Sequence, residues 1–460
     1  MSNLESDRHF SSPQRNISLK RIICSIRTCA FAWMIMSIGS TSIAQEEELL
    51  TMSGLLGTVT VDGSQWQRLD FQPRIRSGDL EAVLDLELFI DESGRFRDRG
   101  WDFSTRRKGV ESILRKIHYI RYGNLTDPEK RIYFRIGTLE SVTLGPGLIM
   151  WRYRNTQDSP GFKRTGLDLQ IRGALEERIT VRGIVSSLLD LDGGGPVVGG
   201  RISYRPPGKL EIGGTVVVDT DQLSAVPDSV RLGRPSDKYG IFGADVTYHL
   251  IQNESFRASL FGGVMRTMMT VGSGTGLSGP GIQAQMGSLT VRAAFRRIEG
   301  RLVPGHFDAL YELNRAVVDP LSKGVTTREA TLLDMSMQGV FGDATFTLGK
   351  FLKADATYQI LDGDLANEYR LEGRASLEQG ALVLLRRITL AEAFYEQRRL
   401  SIEPGEFFDG TLQTRFGYRV GFSPMESLSV MWEIEYTFEP DDTGGLQRRR
   451  TFNLQSQIGW

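Results

Sequence analysis

The sequence predicts an all-β chain, a transmembrane antiparallel up-and-down β-barrel of about 18 strands within a range of roughly 14–22. Three observations predict it. Apolar and polar residues alternate with period two along most of the 460 residues. The alternating blocks run to about ten residues, the length a tilted membrane strand needs and longer than the usual globular strand. No uninterrupted apolar stretch of about 18 residues occurs, which excludes helical spans.

The N-terminal element reads as a secretory leader over residues 1–44. Lys20, Arg21 and Arg27 precede the uncharged stretch Thr28 to Gln45, with Ala30 to Met36 as its apolar core. Small residues at Ser42 and Ala44 set cleavage after Ala44, ahead of Glu46, Glu47 and Glu48. That core is too short for a transmembrane helix. Both cysteines, Cys24 and Cys29, fall inside the leader, so no disulfide stabilises the exported chain. The chain carries 55 Lys/Arg and 56 Asp/Glu, of which five and two lie in the leader, leaving residues 45–460 near −4. No basic excess points to nucleic acid.

From about Val59 onward the strands follow. Leu80, Ala82, Leu84, Leu86, Leu88 and Ile90 share one face of the first clear block. In Gly166 to Ala174, Leu167, Leu169 and Ile171 oppose Asp168, Gln170 and Arg172. Phe416, Tyr418, Val420 and Phe422 oppose Arg415 and Arg419, and Val430, Trp432, Ile434 and Tyr436 oppose Glu433 and Glu435. Similar blocks occur near 113–122, 130–139, 178–188, 197–205, 209–219, 239–250, 255–265, 281–299, 329–339, 343–360 and 367–388. Asp62-Gly63, Ser77-Gly78-Asp79, Pro206-Pro207-Gly208 and Ser423-Pro424-Met425 read as short turns. Longer connections are expected near 91–112, 220–238, 300–328, 389–409 and 439–450. Within them, His306 to Val318 suits a short helix with Phe307, Leu310, Tyr311 and Leu313 on overlapping faces, as a mobile surface loop or, alternatively, a constriction in the lumen. With no linker or shift of composition, residues 45–460 read as one barrel domain.

The final segment, Thr451 to Trp460, places Phe452, Leu454, Ile458 and Trp460 on one strand face. It resembles the C-terminal assembly signal of Gram-negative outer-membrane β-barrels, with Ser456 departing from the pattern. A second resemblance rests on Val59 to Gly63, Trp66, Pro73, Arg135 to Ile149, Arg164 to Leu167 and Gly240 to Asp245. Together these are similar to a group of exported, functionally uncharacterised outer-membrane barrel proteins of Bacteroidota-like and spirochaete-like bacteria. The resemblance implies an integral outer-membrane, porin-like barrel, inserted by the barrel-assembly machinery, and carries over no functional residue.

Enzyme signals fail. Gly274-Thr-Gly-Leu-Ser-Gly279 fits GxGxxG literally, but Pro280 follows where a helix would begin, so a glycine-rich loop accounts for it. No GxSxG or HExxH occurs, and His118, His249 and His306 stand in no metal-ligand spacing. His249 shares a strand face with Asp245 and Thr247, which could form a catalytic pair or simply line a polar lumen. No cofactor is expected.

Chemistry is expected on the less apolar strand faces. These carry Arg172, Arg182, Arg201, Arg257, Arg292, Arg296, Arg370, Arg374, Arg415 and Arg419, with Asp168, Glu211, Asp245, Glu372, Glu433 and Glu435 as the acidic set. A charge facing lipid costs about 2–4 kcal/mol at the midplane, so these side chains are expected to line a pore. Arg415 should meet Glu433 or Glu435 across the Ser423-Pro424 turn. The expected function is passive passage of small hydrophilic solutes. The alternative is a closed barrel with a structural, adhesive or export role. A secreted β-solenoid would show a fixed repeat, and none is visible.

Overall fold

Alternation gives each strand one apolar and one polar face, and the structure turns them the opposite way from a soluble protein. The computed structural model describes residues 50–460 except 62–63, 92, 96–100, 102, 126, 128, 157–163, 175–176, 190–194, 227, 232–236, 254, 269–272, 320–321, 323, 350, 379–386, 402–407, 426–427, 442–444 and 460. The leader and Trp460 therefore lie outside the described residues, as does the turn expected at Asp62-Gly63.

Ten strands occupy the first half: β1 (Leu50–Val61), β2 (Ser64–Ser77), β3 (Leu80–Leu84), β4 (Leu86–Ile90), β5 (Ile117–Tyr122), β6 (Ile132–Gly137), β7 (Gly166–Ala174), β8 (Ile179–Val185), β9 (Val197–Tyr204) and β10 (Leu210–Asp219). Then come β11 (Tyr239–Gln252), β12 (Phe256–Thr267), β13 (Gly274–Met286), β14 (Leu289–Gly300), and the small hairpin β15 (Ala316–Val318) and β16 (Val325–Thr327). The last seven are β17 (Met335–Leu348), β18 (Leu352–Gly363), β19 (Asn367–Glu378), β20 (Ile388–Ser401), β21 (Thr414–Met425), β22 (Leu428–Pro440) and β23 (Leu446–Gly459). Helices are few and short: α1 (Arg106–Leu114), α2 (Asp228–Arg231) and α3 (Tyr311–Asn314). None of the described helices is long and apolar enough to cross a membrane.

Apart from β15 and β16, every strand pairs antiparallel with its sequence neighbours. β3 and β4 both pair with β2 and form one strand broken at Asp85, whose N–H leaves the ladder for the Lys116 carbonyl. Counted so, the wall has twenty strands, inside the expected range. β23 returns to pair with β1 from Ser53↔Gly459 to Val59↔Asn453, giving every strand two neighbours. The fold is a transmembrane up-and-down β-barrel.

The burial pattern supports the membrane reading. Phe242, Val246, Tyr248, Leu260, Val264, Leu277, Ile282, Val291, Phe295, Val340 and Tyr358 are exposed. Asp245, Ser278, Arg296, Asp343, Thr357 and Gln359, on the opposite faces of the same strands, are buried. Only a hydrocarbon surround makes such an arrangement favourable. Both chain ends lie at one rim, where the connections are mostly tight turns such as Gly78-Asp79 and Gly287-Ser288. The long connections gather at the other rim.

Several expected connections are strands. The 389–409 stretch holds β20; its inward face carries Glu392, Glu396 and Arg398, and its outward face mixes Ala391 and Ala393 with Tyr395, Gln397 and Arg399, a composition that reads as loop. The 439–450 loop shrinks to 441–445 between β22 and β23. The glycine-rich 274–279 stretch opens β13. The 281–299 block splits at Gly287-Ser288, and β21 runs through Ser423-Pro424-Met425 with a register shift where a turn was expected.

A barrel of 16–18 strands already encloses an aqueous channel, so twenty leave a wide lumen unless something fills it. Two connections from the long-loop rim do so. Residues 138–155 contribute Leu139, Val142, Leu144, Leu148, Ile149, Met150 and Tyr153 to a buried cluster, and residues 301–334 contribute Leu302, Val303, Phe307, Tyr311 and Leu332. The wall answers with inward apolar residues Ile184, Val197, Val217, Ile241, Met265, Ile298, Met337 and Leu361.

Candidate functional site: a constricted lumen with an arginine vestibule

The first inward loop crosses the lumen because its residues find partners on opposite sectors of the wall. Near β8 and β9, Gly145 adopts φ +57° and lies so close to the Arg201 guanidinium that a Cβ would overlap it. At the far side, Trp151 meets Phe341 edge-on at 5.5 Å. Arg152 reaches Asp343 at 2.8 Å and also pairs with Asp355, while Arg154 pairs with Glu396 at 3.0 Å. Asn155 then ties the loop back, accepting from Leu139 N–H at 2.7 Å and donating to the Ser186 carbonyl at 2.8 Å.

The second loop docks on the first through a bridge between Met150 and Phe307. Its charges are met by wall and loop together. Asp308 faces Arg328 at 2.7 Å, Arg398 at 3.2 Å and Arg370 at 3.7 Å. Burial alone would raise the Asp308 carboxyl, but these three guanidinium groups outweigh it and hold it below the usual carboxylate range. Tyr311 donates to Asp219 at 2.6 Å, and Arg315 donates from Nε to the same carboxylate at 2.6 Å. The Arg315 and Asp219 side chains are both 0% exposed. His306 is also fully buried, and burial with Arg328 and Arg398 nearby keeps its imidazole neutral, well below the ordinary range. The segment expected as a mobile surface loop is thus the packed centre of the constriction, because Phe307, Leu310 and Tyr311 bury in the lumen.

Below the constriction, toward the rim that holds the chain ends, lies a cavity of about 750 Å³. Arg131, Arg172, Arg178, Arg182, Arg201 and Arg205 line it against Glu129, Glu177 and Glu211, with Thr143 and Gly145 of the first loop as its ceiling. Arg182 is clamped on Asp168 by two bonds of 2.8–2.9 Å, and Arg201 likewise donates to both oxygens of Asp245, at 2.5 and 2.9 Å. Arg172 donates to the backbone carbonyls of Leu125, Asp127 and Lys130 and forms no ion pair among the described residues.

Arg172, Arg182, Arg201, Arg257, Arg292, Arg296, Arg415, Arg419, Glu433 and Glu435, among the side chains expected to line a pore, stand on inward strand positions, but in different settings. Arg172, Arg182 and Arg201 border the cavity. Arg257 is exposed at the turn end of β12. Arg296 is 2% exposed and stacks on Phe341 at 3.7 Å, while Arg292 lies 5.4 Å from the Trp151 ring and bonds Gln283. Both pack where the first inward loop meets the wall, at Trp151 and Phe341. Arg415 meets Glu435 at 2.7 Å, and Arg419 meets Glu392 at 2.7 Å with Glu433 at 3.7 Å. Of the terminal signal, Phe452 is exposed on the outer face, Leu454 is half-buried, and the side chains of Ile458 and Trp460 lie outside the described residues.

Two other clusters carry less. Asp70, Asp85 and Glu87 converge closely enough to hold a cation, but the Arg68 guanidinium already sits between Asp70 and Glu87. His249 bonds Ser259 at 3.0 Å, while Asp245 faces Arg201, so the two do not pair.

No protein-family profile matches the chain, and no curated protein matches its sequence. Solved structures similar to it include the siderophore receptor PirA from Pseudomonas aeruginosa, at 10% identity and TM-score 0.39, covering 91% of this chain and 81% of that one. CdiB from Escherichia coli aligns at 13% identity and TM-score 0.37, over 74% of this chain and 65% of CdiB. The outer membrane protein OpdK from P. aeruginosa aligns at 11% identity and TM-score 0.32, over 89% and 97%. The fold assignment rests on the strand pairing and the inverted faces of this chain itself.

Sequence reasoning missed the 138–155 loop as a lumen element. A signal was present: Leu144, Leu148, Ile149, Met150 and Trp151 sit among glycines and proline without strand alternation.

Proposed function

We propose that the chain is an outer-membrane channel of narrow bore that passes small hydrophilic solutes and favours anions. The vestibule carries this reading. Six arginines line a cavity directly beneath the constriction, and its three glutamates with the Asp168 and Asp245 carboxylates that hold Arg182 and Arg201 leave a small positive excess. Excess positive charge in a low-dielectric funnel raises the local concentration of anions and orders their entry. The outward apolar band and the leader expected from the sequence support the location, and the β1–β23 seam is what the barrel-assembly machinery would close. We read the chain as a non-enzyme, since Arg201 engages Asp245, and Glu211 stands 3.9 Å from His249, beyond hydrogen-bond reach. The test is single-channel conductance of the unheated barrel with a reversal potential in a salt gradient. Current steps reversing toward the anion potential support the reading, and cation-selective steps refute it.

A closed barrel with a structural, adhesive or export role is the second reading. The dry plug favours it, because Arg315 and Asp219 are fully enclosed where the loops meet the wall. A boiling-dependent gel shift without conductance would select this reading.

A further inference from the structure

The lipid-facing wall carries a feature that conduction does not use. Strands β11 to β14 present a groove of about 480 Å³, walled by Phe242, Val264 and Leu277 with small residues such as Ala244 and Gly276 between them. Arg266, Arg297 and Glu299 stand at its edge. The register brings them together: Thr275 pairs with Arg266 on one side and Glu299 on the other, and Leu277 pairs with Val264 and Arg297. All three charges lie on outward positions, toward the rim that carries the long loops. Arg297 donates to Glu299 at 2.8 Å, and both side chains are more than half exposed. Arg266 has neither hydrogen bond nor ion pair among the described residues.

Three charges beside an apolar groove are unfavourable at mid-membrane and tolerated near the interface, which sets their height at the boundary between acyl chains and headgroups. The long-loop rim of such barrels faces outward, so that boundary belongs to the outer leaflet. A net positive charge there, supplied by arginine, suits the planar, bidentate recognition of phosphate. The groove beneath suits an acyl chain, which gains by filling a recess that bulk lipid packs poorly. We propose that this groove is a binding site for a phosphorylated glycolipid of the outer leaflet, with one acyl chain against Val264 and Leu277 and a phosphate held by Arg266 and Arg297. Glu299 fixes the Arg297 side chain in place. The proposal rests on the barrel's orientation and is independent of whether the lumen conducts.

The experiment uses the full barrel purified unheated in detergent, with purified lipopolysaccharide carrying a phosphorylated lipid A as the probe. Retained glycolipid per barrel is measured by mass spectrometry for the native chain, for R266Q/R297Q, and for R448Q as an outward arginine on another sector. The native chain and R448Q should retain the lipid. The double variant should bind about a hundredfold more weakly, the change that follows from losing two charge-assisted hydrogen bonds. Dephosphorylated lipopolysaccharide should bind the native chain as weakly as the intact lipid binds the double variant. Equal retention by the native chain and the double variant would overturn the proposal, as would equal binding of the dephosphorylated lipid. An R448Q loss matching the double variant would also overturn it, by showing a diffuse basic rim. Unchanged boiling-dependent gel shifts in all variants establish that each barrel is folded.

Discussion

Asp219→Asn tests how the constriction is held. The Asp219 carboxylate takes Arg315 Nε and the Tyr311 hydroxyl at 2.6 Å each, with all three groups buried. Asparagine keeps the volume and one acceptor but removes the counter-charge. Breaking a buried ion pair from one side costs about 3–5 kcal/mol, because the remaining charge is left enclosed. Arg315 retains Glu312 at 3.5 Å and the Asp221 carbonyl at 2.9 Å, which places the cost near the lower end. At about 1.4 kcal/mol per decade, 3 kcal/mol shifts the docked-loop equilibrium about a hundredfold toward release. The wall does not depend on this pair, since its strands are tied to one another by backbone ladders. Conductance in a planar bilayer should therefore rise, and trypsin should cut the loop at Arg315 or Arg328 in the unheated barrel, while the boiling-dependent gel shift stays. Native conductance and native protease resistance in D219N would refute the latch.

Three further expectations follow from the same geometry. Gly145→Ala forces a Cβ into the Arg201 guanidinium at a backbone conformation that costs non-glycine residues about 1–3 kcal/mol, so the first loop should loosen, and hydrogen exchange over residues 138–155 should rise. Glu329, beside the loops of the outer rim, is pushed up to about 7 by burial and then by Asp237, and a carboxyl raised in the folded state favours docking below its ordinary pKa and loses that contribution as pH rises through about 7. Conductance should increase between pH 5 and pH 8 in steps of about one unit, and Glu329→Gln should flatten the profile. Arg172→Gln with Arg178→Gln should move the reversal potential toward cations, whereas the same change at Arg292 and Arg296 should destabilise the plug and leave selectivity alone.

The wall was legible because a membrane barrel writes its environment into every strand. Leu80 to Ile90 and Leu428 to Phe438 alternate cleanly, since lipid demands apolar side chains on one face and water permits charge on the other. β20 escaped because Ala391 and Ala393 contribute little apolar signal between Glu392, Glu396 and Arg398. The inward arginines were legible as a set but not as separate environments: nothing local tells Arg296, stacked on Phe341, from Arg172 at the vestibule edge. That distinction depends on which loop folds over which strand. The plug itself was hidden for the same reason. Its Trp151–Phe341 and Met150–Phe307 contacts join residues more than a hundred positions apart, and no period in the sequence encodes such pairings. Asp308 reads as one more loop carboxylate until Arg328, Arg370 and Arg398 are seen to converge on it.

The central claim is a barrel whose lumen is narrowed by two folded-in loops above an arginine-rich vestibule. It is tested most directly by the reversal potential of single channels formed by the unheated protein across a potassium chloride gradient. The structure predicts small, stable steps that reverse toward the chloride potential. Steps reversing toward potassium, or a folded barrel that carries no current at all, would contradict it.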